Sequence, residues 1–319
     1  MTRIKKISMF FIFISFVFTS SCGGGSGDSG SSGSNNSGSM KAYGVDFART
    51  GDFAELKNKG DINLVSISAT DNWQNIFDAA AANGQKVVLY LGFQEDKICQ
   101  GSDGWDWNGS DWALNGVGQA FLDFIADYIK NNGKGFLALY TLHEPFNTDR
   151  SPNCTAQVQQ KLYNLLKQEA NQRGLTSAQL PLFADVDDTR DPRYTAGICD
   201  YCSTWDYPNG ECNGATWEER VNECIAKMRS NYIAFETKSP KAMFVVKVQS
   251  FGDRGDYDMP SAADMEYLGN RVIADLENNY GRPYLFIWYV WEWSYPDYLK
   301  NSPGGNASFE VLANVYQGH

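Results

Sequence analysis

The chain has 319 residues, 43% of them hydrophobic, and a formal net charge of −11; its first 39 residues carry a net +2, which leaves −13 on the remainder. So acidic a body repels phosphate, which argues against nucleic acid and anionic membrane surfaces as partners. It suits an exported protein that acts on neutral or basic ligands.

The chain opens with "MTRIKKISMFFIFISFVFTSSC": a basic start at Arg3, Lys5 and Lys6, an apolar run from Ile7 to Phe18, then small residues. This is the pattern of a secretory signal over residues 1–21, too short and wrongly flanked for a permanent membrane span. Thr19-Ser20-Ser21-Cys22 resembles the lipobox of bacterial lipoproteins, although an aliphatic residue is more usual where Thr19 stands. The resemblance implies cleavage before Cys22 and a lipid anchor on that cysteine. Gly23 follows instead of Asp, which by the same resemblance favours the outer membrane or cell surface. Plain secretion with a spare thiol is the alternative. Residues 22–39, rich in Gly and Ser, cannot pack and form a lipid-anchored tether. Its root-mean-square span is roughly 20–25 Å by random-coil scaling.

From residue 40 onward, apolar strand-like runs alternate with helical patterns. The predicted strands are 42–48, 62–69, 86–93, 135–142, 180–186, a weaker 198–208, 242–251 and 284–293. Helices are expected near 51–59, 72–83, 115–131, 155–173, 215–238, 260–280 and 306–317, with none in the fifth connection. Continuous apolar strands are buried on both faces, hence parallel. Right-handed crossovers let eight such strands close. The pattern predicts one (β/α)8 barrel spanning 40–319, with an open doubly wound sheet as the alternative. No GxGxxG or GxxxxGK[ST] follows the early strands, so the nucleotide-binding folds lack their signature.

Besides Cys22 there are six cysteines: Cys99, Cys154, Cys199, Cys202, Cys212 and Cys224. An even number in an exported chain reads as disulfides, with Cys99 and Cys154 pairing across neighbouring loops. A zinc knuckle is the rival, but Cys212 and Cys224 do not form a second close pair. No metal site and no cofactor are expected.

In such barrels chemistry gathers at the C-terminal strand ends. Asp46 ends the first strand, and Asp71, Asn72 and Trp73 follow the second. The third leads to Gln94, Glu95 and Asp96, and then to a loop carrying Trp105, Trp107 and Trp112. His143 and Glu144 end the fourth strand, shortly before Asn147. Asp185, Asp187 and Asp188 end the fifth; with Arg190, Asp191 and Arg193 they read as a charged loop network. Trp205, Asp206 and Tyr207 end the sixth, and Gln249 the seventh. Trp288, Trp291, Glu292 and Trp293 lie on the eighth. Flat aromatic faces among carboxylates and amides suit sugar rings and their hydroxyls, so carbohydrate is the expected partner. Asp46, Trp73, His143, Asn147, Tyr207, Gln249, Trp288 and Trp291 are the expected substrate-binding residues.

"YTLHEPFN" resembles the fourth-strand motif of the large clan of (β/α)8 glycoside hydrolases, in which a Glu-Pro pair ends the strand. Glu144 matches its general acid/base, Pro145 matches the Pro, and His143 stands where Asn is more common. "WYVWEWSYPDYL" also resembles the aromatic eighth strand of such enzymes. A carboxylic acid partly desolvated by aromatic neighbours can stay protonated near neutral pH and protonate a leaving group. Alternation puts Phe136, Ala138, Tyr140, Leu142 and Glu144 on one face.

The clan's retaining enzymes carry a nucleophilic Glu at the end of strand seven, whereas this chain has Gln249. Lys247 shares the phase of Gln249 and is placed to neutralise a carboxylate inside the barrel. Asp206 or Glu292 is then the second catalytic carboxylate, or the site binds sugar without cleaving it. Carboxyl groups about 5–5.5 Å apart mean retention, and about 6.5–9.5 Å inversion. The expected activity is hydrolysis of a polysaccharide or oligosaccharide at the cell envelope. The alternatives are a surface glycan-binding lipoprotein and an envelope structural protein.

Overall fold

The computed structural model describes residues 41–46, 48–58, 64–68, 73–90, 105–143, 155–194, 196–252, 258–289, 297–298, 311 and 314–315. In chain order the strands are β1 (Lys41–Val45), β2 (Leu64–Ser68), β3 (Lys86–Tyr90), β4 (Trp105–Trp107), β5 (Trp112–Leu114), β6 (Phe136–His143), β7 (Leu182–Asp187), β8 (Tyr201–Trp205), β9 (Met243–Gln249), β10 (Phe251–Gly252), β11 (Tyr284–Tyr289) and β12 (Asp297–Tyr298). The helices are α1 (Phe53–Asn58), α2 (Trp73–Ala82), α3 (Gly116–Asn131), α4 (Ala156–Gln172), α5 (Trp217–Lys238) and α6 (Ala262–Asp275).

Eight parallel strands close in the order β1-β11-β9-β8-β7-β6-β3-β2. The predicted barrel is therefore the observed one, and each of its strands overlaps a predicted run. Among the described residues no helix joins β7 to β8, as expected. Closure depends on close contact at Gly44: a Cβ there would stand 2.6 Å from the carbonyl oxygen of Leu64 on β2, so only glycine lets β1 lie against β2. The helix starts are set by local hydrogen bonds. Asn115 caps α3 by accepting from the N–H groups of Val117 and Gly118, and Thr216 with Glu219 forms a capping box at α5.

Side-chain direction follows the parallel register. Lys247 on β9 pairs with Trp205 on β8 and with Ile287 on β11, so these share the inner face; Trp288 pairs with Val248 on the outer face. One irregularity matters for the site. The β6–β7 register shifts between Tyr140 and Leu142, after which His143 is the partner of Asp185. Simple alternation from Tyr140 thus does not run through to Leu142, because a bulge inserts one residue and reverses the phase.

Two disulfides occur among the described residues, Cys199–Cys202 and Cys212–Cys224. Their sulfurs are spent on each other, which leaves no thiolate for the rival zinc knuckle. The Cys99–Cys154 pair lies outside the described residues. Among the described residues no helix is long and apolar enough to cross a membrane.

Candidate functional site at the mouth of the barrel

The inner face of the barrel carries a buried ionic cluster near its C-terminal end. Lys247 comes from β9, Asp46 follows β1 and Asp185 lies on β7. The Lys247 Nζ is 2.5 Å from Asp46 Oδ2 and 2.7 Å from Asp185 Oδ2, and all three side chains are about 1% exposed. Ser203 on β8 donates from its hydroxyl to Asp185 Oδ1. The ammonium also lies 5.2 Å from the ring centres of Tyr140 and Tyr289 and 5.6 Å from that of Phe183. The negative ring faces add to the stabilisation of the cation.

The electrostatics of the cluster follow from burial. Desolvation pushes the Asp185 carboxyl up to about 6, against the pull of Lys247 and with the support of Asp46. Burial acts to depress the Lys247 ammonium, but the two carboxylates outweigh it and hold the pKa above the usual lysine value. The amine is thus kept charged, which makes it an ion-pair partner and not a nucleophile. Lys247 was expected to neutralise a carboxylate inside the barrel, and it holds two.

Asp185 corrects the charged network expected after the fifth strand. Alternation turns it into the barrel, while Asp188 binds Arg190 and Asp191 binds Arg193 in tight pairs two residues apart. Those local pairs explain why the loop is charged, and they leave Asp185 to the interior. The expected substrate-binding role of Asp46 also changes, since its carboxylate is committed to Lys247 and fully buried.

Above Lys247 an aromatic wall closes one side of the mouth. Tyr207 stacks between Trp205, at 6.4 Å, and Tyr289, at 6.0 Å, and Phe251 meets Tyr207 edge-on at 5.1 Å. Tyr207 is buried within this group, and its backbone N–H donates to Glu211. Gln249 forms a clasp in the same wall. Its Oε1 accepts from the Asn209 backbone N–H at 3.1 Å, and its Nε2 donates to the carbonyls of Phe251 and Asp258 at 3.1 Å each. The amide therefore ties the loop after β8 to the chain beyond β9, and its side chain is buried instead of presented to a ligand.

Asp206 directly follows β8 beside this wall. It follows the inward Trp205, so alternation sends it toward the helices, where it lines a crevice with Thr204, Cys224, Met228, Leu268 and Val272. The same crevice is lined by Trp205 and Lys247.

Three tryptophan expectations are corrected by packing. Trp288 is fully buried on the outer face, with its ring at the site of Gly269 on α6 and 5.4 Å from Phe286. Trp73 opens α2 and packs its ring on Phe121 and Phe124 of α3, at 4.5 and 5.6 Å. The polar loop that seemed to lack a core folds as the β4–β5 hairpin. There Trp112 is buried against Trp107 and donates its Nε1–H to the Val158 carbonyl on α4. Large rings next to glycines read as exposed platforms in one dimension, but the tertiary fold supplies partners that local sequence does not show.

His143 is described as the register partner of Asp185 at the end of β6. Glu144, Asn147, Trp291, Glu292 and Cys22 lie outside the described residues. The signal that could have found the cluster was present: Lys247 interrupts the apolar run "FVVKVQ" in phase with the barrel interior, and such a cation needs inward carboxylates.

No protein-family model matches the chain, and no curated protein matches it. Solved structures do. A Lactobacillus rhamnosus β-glucuronidase shares 13% identity over 87% of this chain and 49% of its own, with a TM-score of 0.56. A Ruminococcus gnavus β-glucuronidase shares 12% identity over 88% of this chain and 50% of its own, with a TM-score of 0.55. A β-glucuronidase from an uncultured Clostridium shares 11% identity over 88% and 50%, with a TM-score of 0.54. The chain spans about half the length of these enzymes. At such identities the likeness is one of fold: a (β/α)8 barrel of the kind found in glycoside hydrolases.

Proposed function

We propose that this barrel is a carbohydrate-active enzyme that hydrolyses a polysaccharide or oligosaccharide at the cell envelope, with Glu144 as general acid/base. The observation that carries the reading is the end of β6. β6 runs to His143 at the C-terminal end of a closed barrel, and in the sequence Glu144 follows it directly, as the acid/base does in the resembled motif. The fold shared with β-glucuronidases supports the same class of chemistry, while the sugar and linkage are not read from it. Asp206 or Glu292 is the second carboxylate. No cofactor is needed for this chemistry, because two carboxyl groups suffice.

The test is Glu144→Gln assayed for release of reducing ends over a broad glycan panel. Turnover should vanish while the fold and glycan binding persist; full activity would remove Glu144 from the mechanism.

A second reading is a glycan-binding protein without hydrolysis. Gln249 favours it, because an amide held by three backbone groups stands where the resembled clan has a nucleophile. Sugar binding by the unaltered protein with no reducing-end release across the panel would establish it.

We also propose that residues 1–21 are a lipoprotein signal, that 22–39 tether the barrel, and that Cys22 carries the lipid at the outer membrane or cell surface. Cys22→Ser should move the protein from the detergent phase to the aqueous phase. An unchanged partition would exclude lipidation at Cys22.

A further inference from the structure

The charges of the barrel are sorted between its two ends. At the N-terminal end, the described connections from the helical layer into a barrel strand are 83–85, 132–135, 173–181, 239–242 and 281–283. They hold Lys134, Arg173, Lys241 and Arg282 and no carboxylate. Lys86 opens β3 beside them, and Lys57 and Lys130 stand in the last turns of α1 and α3. Both helix lysines reach over the connections. The Lys57 Nζ is 3.9 Å from where a Cβ on Gly84 would stand, and the Lys130 Nζ is 3.8 Å from the same point on Gly174. The opposite end, where β3, β8 and β9 lead out, carries Asp106, Asp111, Asp206, Glu211 and Asp258.

The lysines of the N-terminal end are also the unengaged ones. Lys57, Lys86, Lys130, Lys134 and Lys241 are all exposed, and none makes an ion pair among the described residues. Lysines elsewhere are held, Lys161 by Asp111, Lys227 by Glu223 and Lys247 by two carboxylates. Near the lysine end, Asp200, Glu169 and Glu236 have cations of their own in Lys167, Arg173 and Arg282. Asp78, Asp127 and Glu277 sit about a turn back from the ends of their helices, so the lysines lie outermost. The attraction of a cation to a helix C-terminus accounts for Lys57 and Lys130 but not for the other three. β9 stands opposite β3 in the ring, so Lys241 and Lys86 flank the barrel axis. Finally, β1 begins at Lys41, so the chain ahead of it joins the barrel at this same end.

We propose that the N-terminal end of the barrel is a docking face for the anionic headgroups of the membrane that carries the chain, with Lys57, Lys86, Lys130, Lys134 and Lys241 as its contacts. The proposal rests on the proposed anchor at Cys22. The net charge of the molecule opposes the approach of a free chain to such a surface. A tether of residues 22–39 changes this, because it holds the barrel within roughly 20–25 Å of the lipid. There the nearest charges dominate, since screening acts over about 10 Å at 0.1 M salt. The lysines then seat the barrel on its N-terminal end. The mouth, at the other end, points away from the lipid.

The test uses the full chain as isolated from the cell envelope, placed on vesicles of phosphatidylcholine or of phosphatidylcholine mixed with phosphatidylglycerol. Exposed amines are acetylated with a water-soluble reagent and read by mass spectrometry. The expected result is several-fold lower acetylation of the docking lysines on the anionic vesicles, lost at high salt, with Lys161 unchanged. Equal acetylation on both vesicles would overturn the proposal. Protection in intact envelopes but on neither vesicle would also overturn it, and would assign the face to a protein partner. The triple variant Lys86→Glu, Lys134→Glu and Lys241→Glu should expose Lys57 and Lys130 on anionic vesicles; protection that persists there contradicts a docking face. A chain that does not stay on the phosphatidylcholine vesicles strikes the anchor at Cys22 instead. The docking face then stands if that chain sediments with anionic vesicles at low salt and the triple variant does not, and falls otherwise.

Discussion

The Lys247 ammonium stands 2.7 Å from the Asp185 carboxylate, on strands 62 residues apart in sequence, with neither side chain more than 1% exposed. This pair and its second arm to Asp46 tie β1, β7 and β9 together at the level where the barrel opens. Removing Lys247 takes this cation from both carboxylates.

Lys247→Met keeps most of the volume and removes the charge. Two buried carboxylates then lose their cation, and breaking a buried ion pair from one side costs about 3–5 kcal/mol. Denaturant unfolding should show a loss of that order, with part of it recovered in the triple variant that also carries Asp46→Asn and Asp185→Asn. A loss under about 1 kcal/mol would mean that the cluster contributes little to the fold.

Gln249→Glu tests whether this position can act as the missing nucleophile. The Gln249 amide protons go to the carbonyls of Phe251 and Asp258, and a carboxylate would face those oxygens without a proton to offer. The expected result is a loss of about 1–3 kcal/mol with no gain in glycoside hydrolysis. Appearance of turnover in a chain that lacked it would show that the side chain can swing into the mouth.

Trp288→Ala should act on stability and not on sugar affinity. The ring fills space against α6, and large-to-small changes of a buried aromatic cost about 3–5 kcal/mol. Calorimetric unfolding and glycan titration on the folded protein separate the two effects. Weakened binding at unchanged stability would return Trp288 to the sugar site.

The two described disulfides differ in reach. Cys212–Cys224 spans 12 residues and binds the loop of Tyr207 and Asn209 to α5, whereas Cys199–Cys202 spans three. Loop-closure entropy predicts a loss of about 3 kcal/mol for the paired serine variant of the first and about 1.5 kcal/mol for the second. Equal losses in denaturant unfolding would contradict the entropic account.

The order of elements was legible because it is local. Apolar runs such as "KVVLYLGF" and "AMFVVKVQSF" must bury both faces, helical periods separate them, and parallel closure follows from their alternation. Caps such as Thr216 with Glu219 are likewise written within four residues. By itself, then, the sequence determined the barrel, the helix-free fifth connection, and the phase that turns Lys247 inward.

Partners were decided only by the tertiary structure. Asp185 looked like a member of a loop network because arginines stand near it in sequence; three strands had to meet before Lys247 became its counterion. Gln249 and the tryptophans were judged by their place at the rim, but rim position does not say which neighbours claim the side chain. The physical reason is the range of each signal. Periodicity reports which face a residue occupies, while the bulge in β6, the pairing across the barrel and the packing of α6 on Trp288 depend on contacts between segments far apart in the chain.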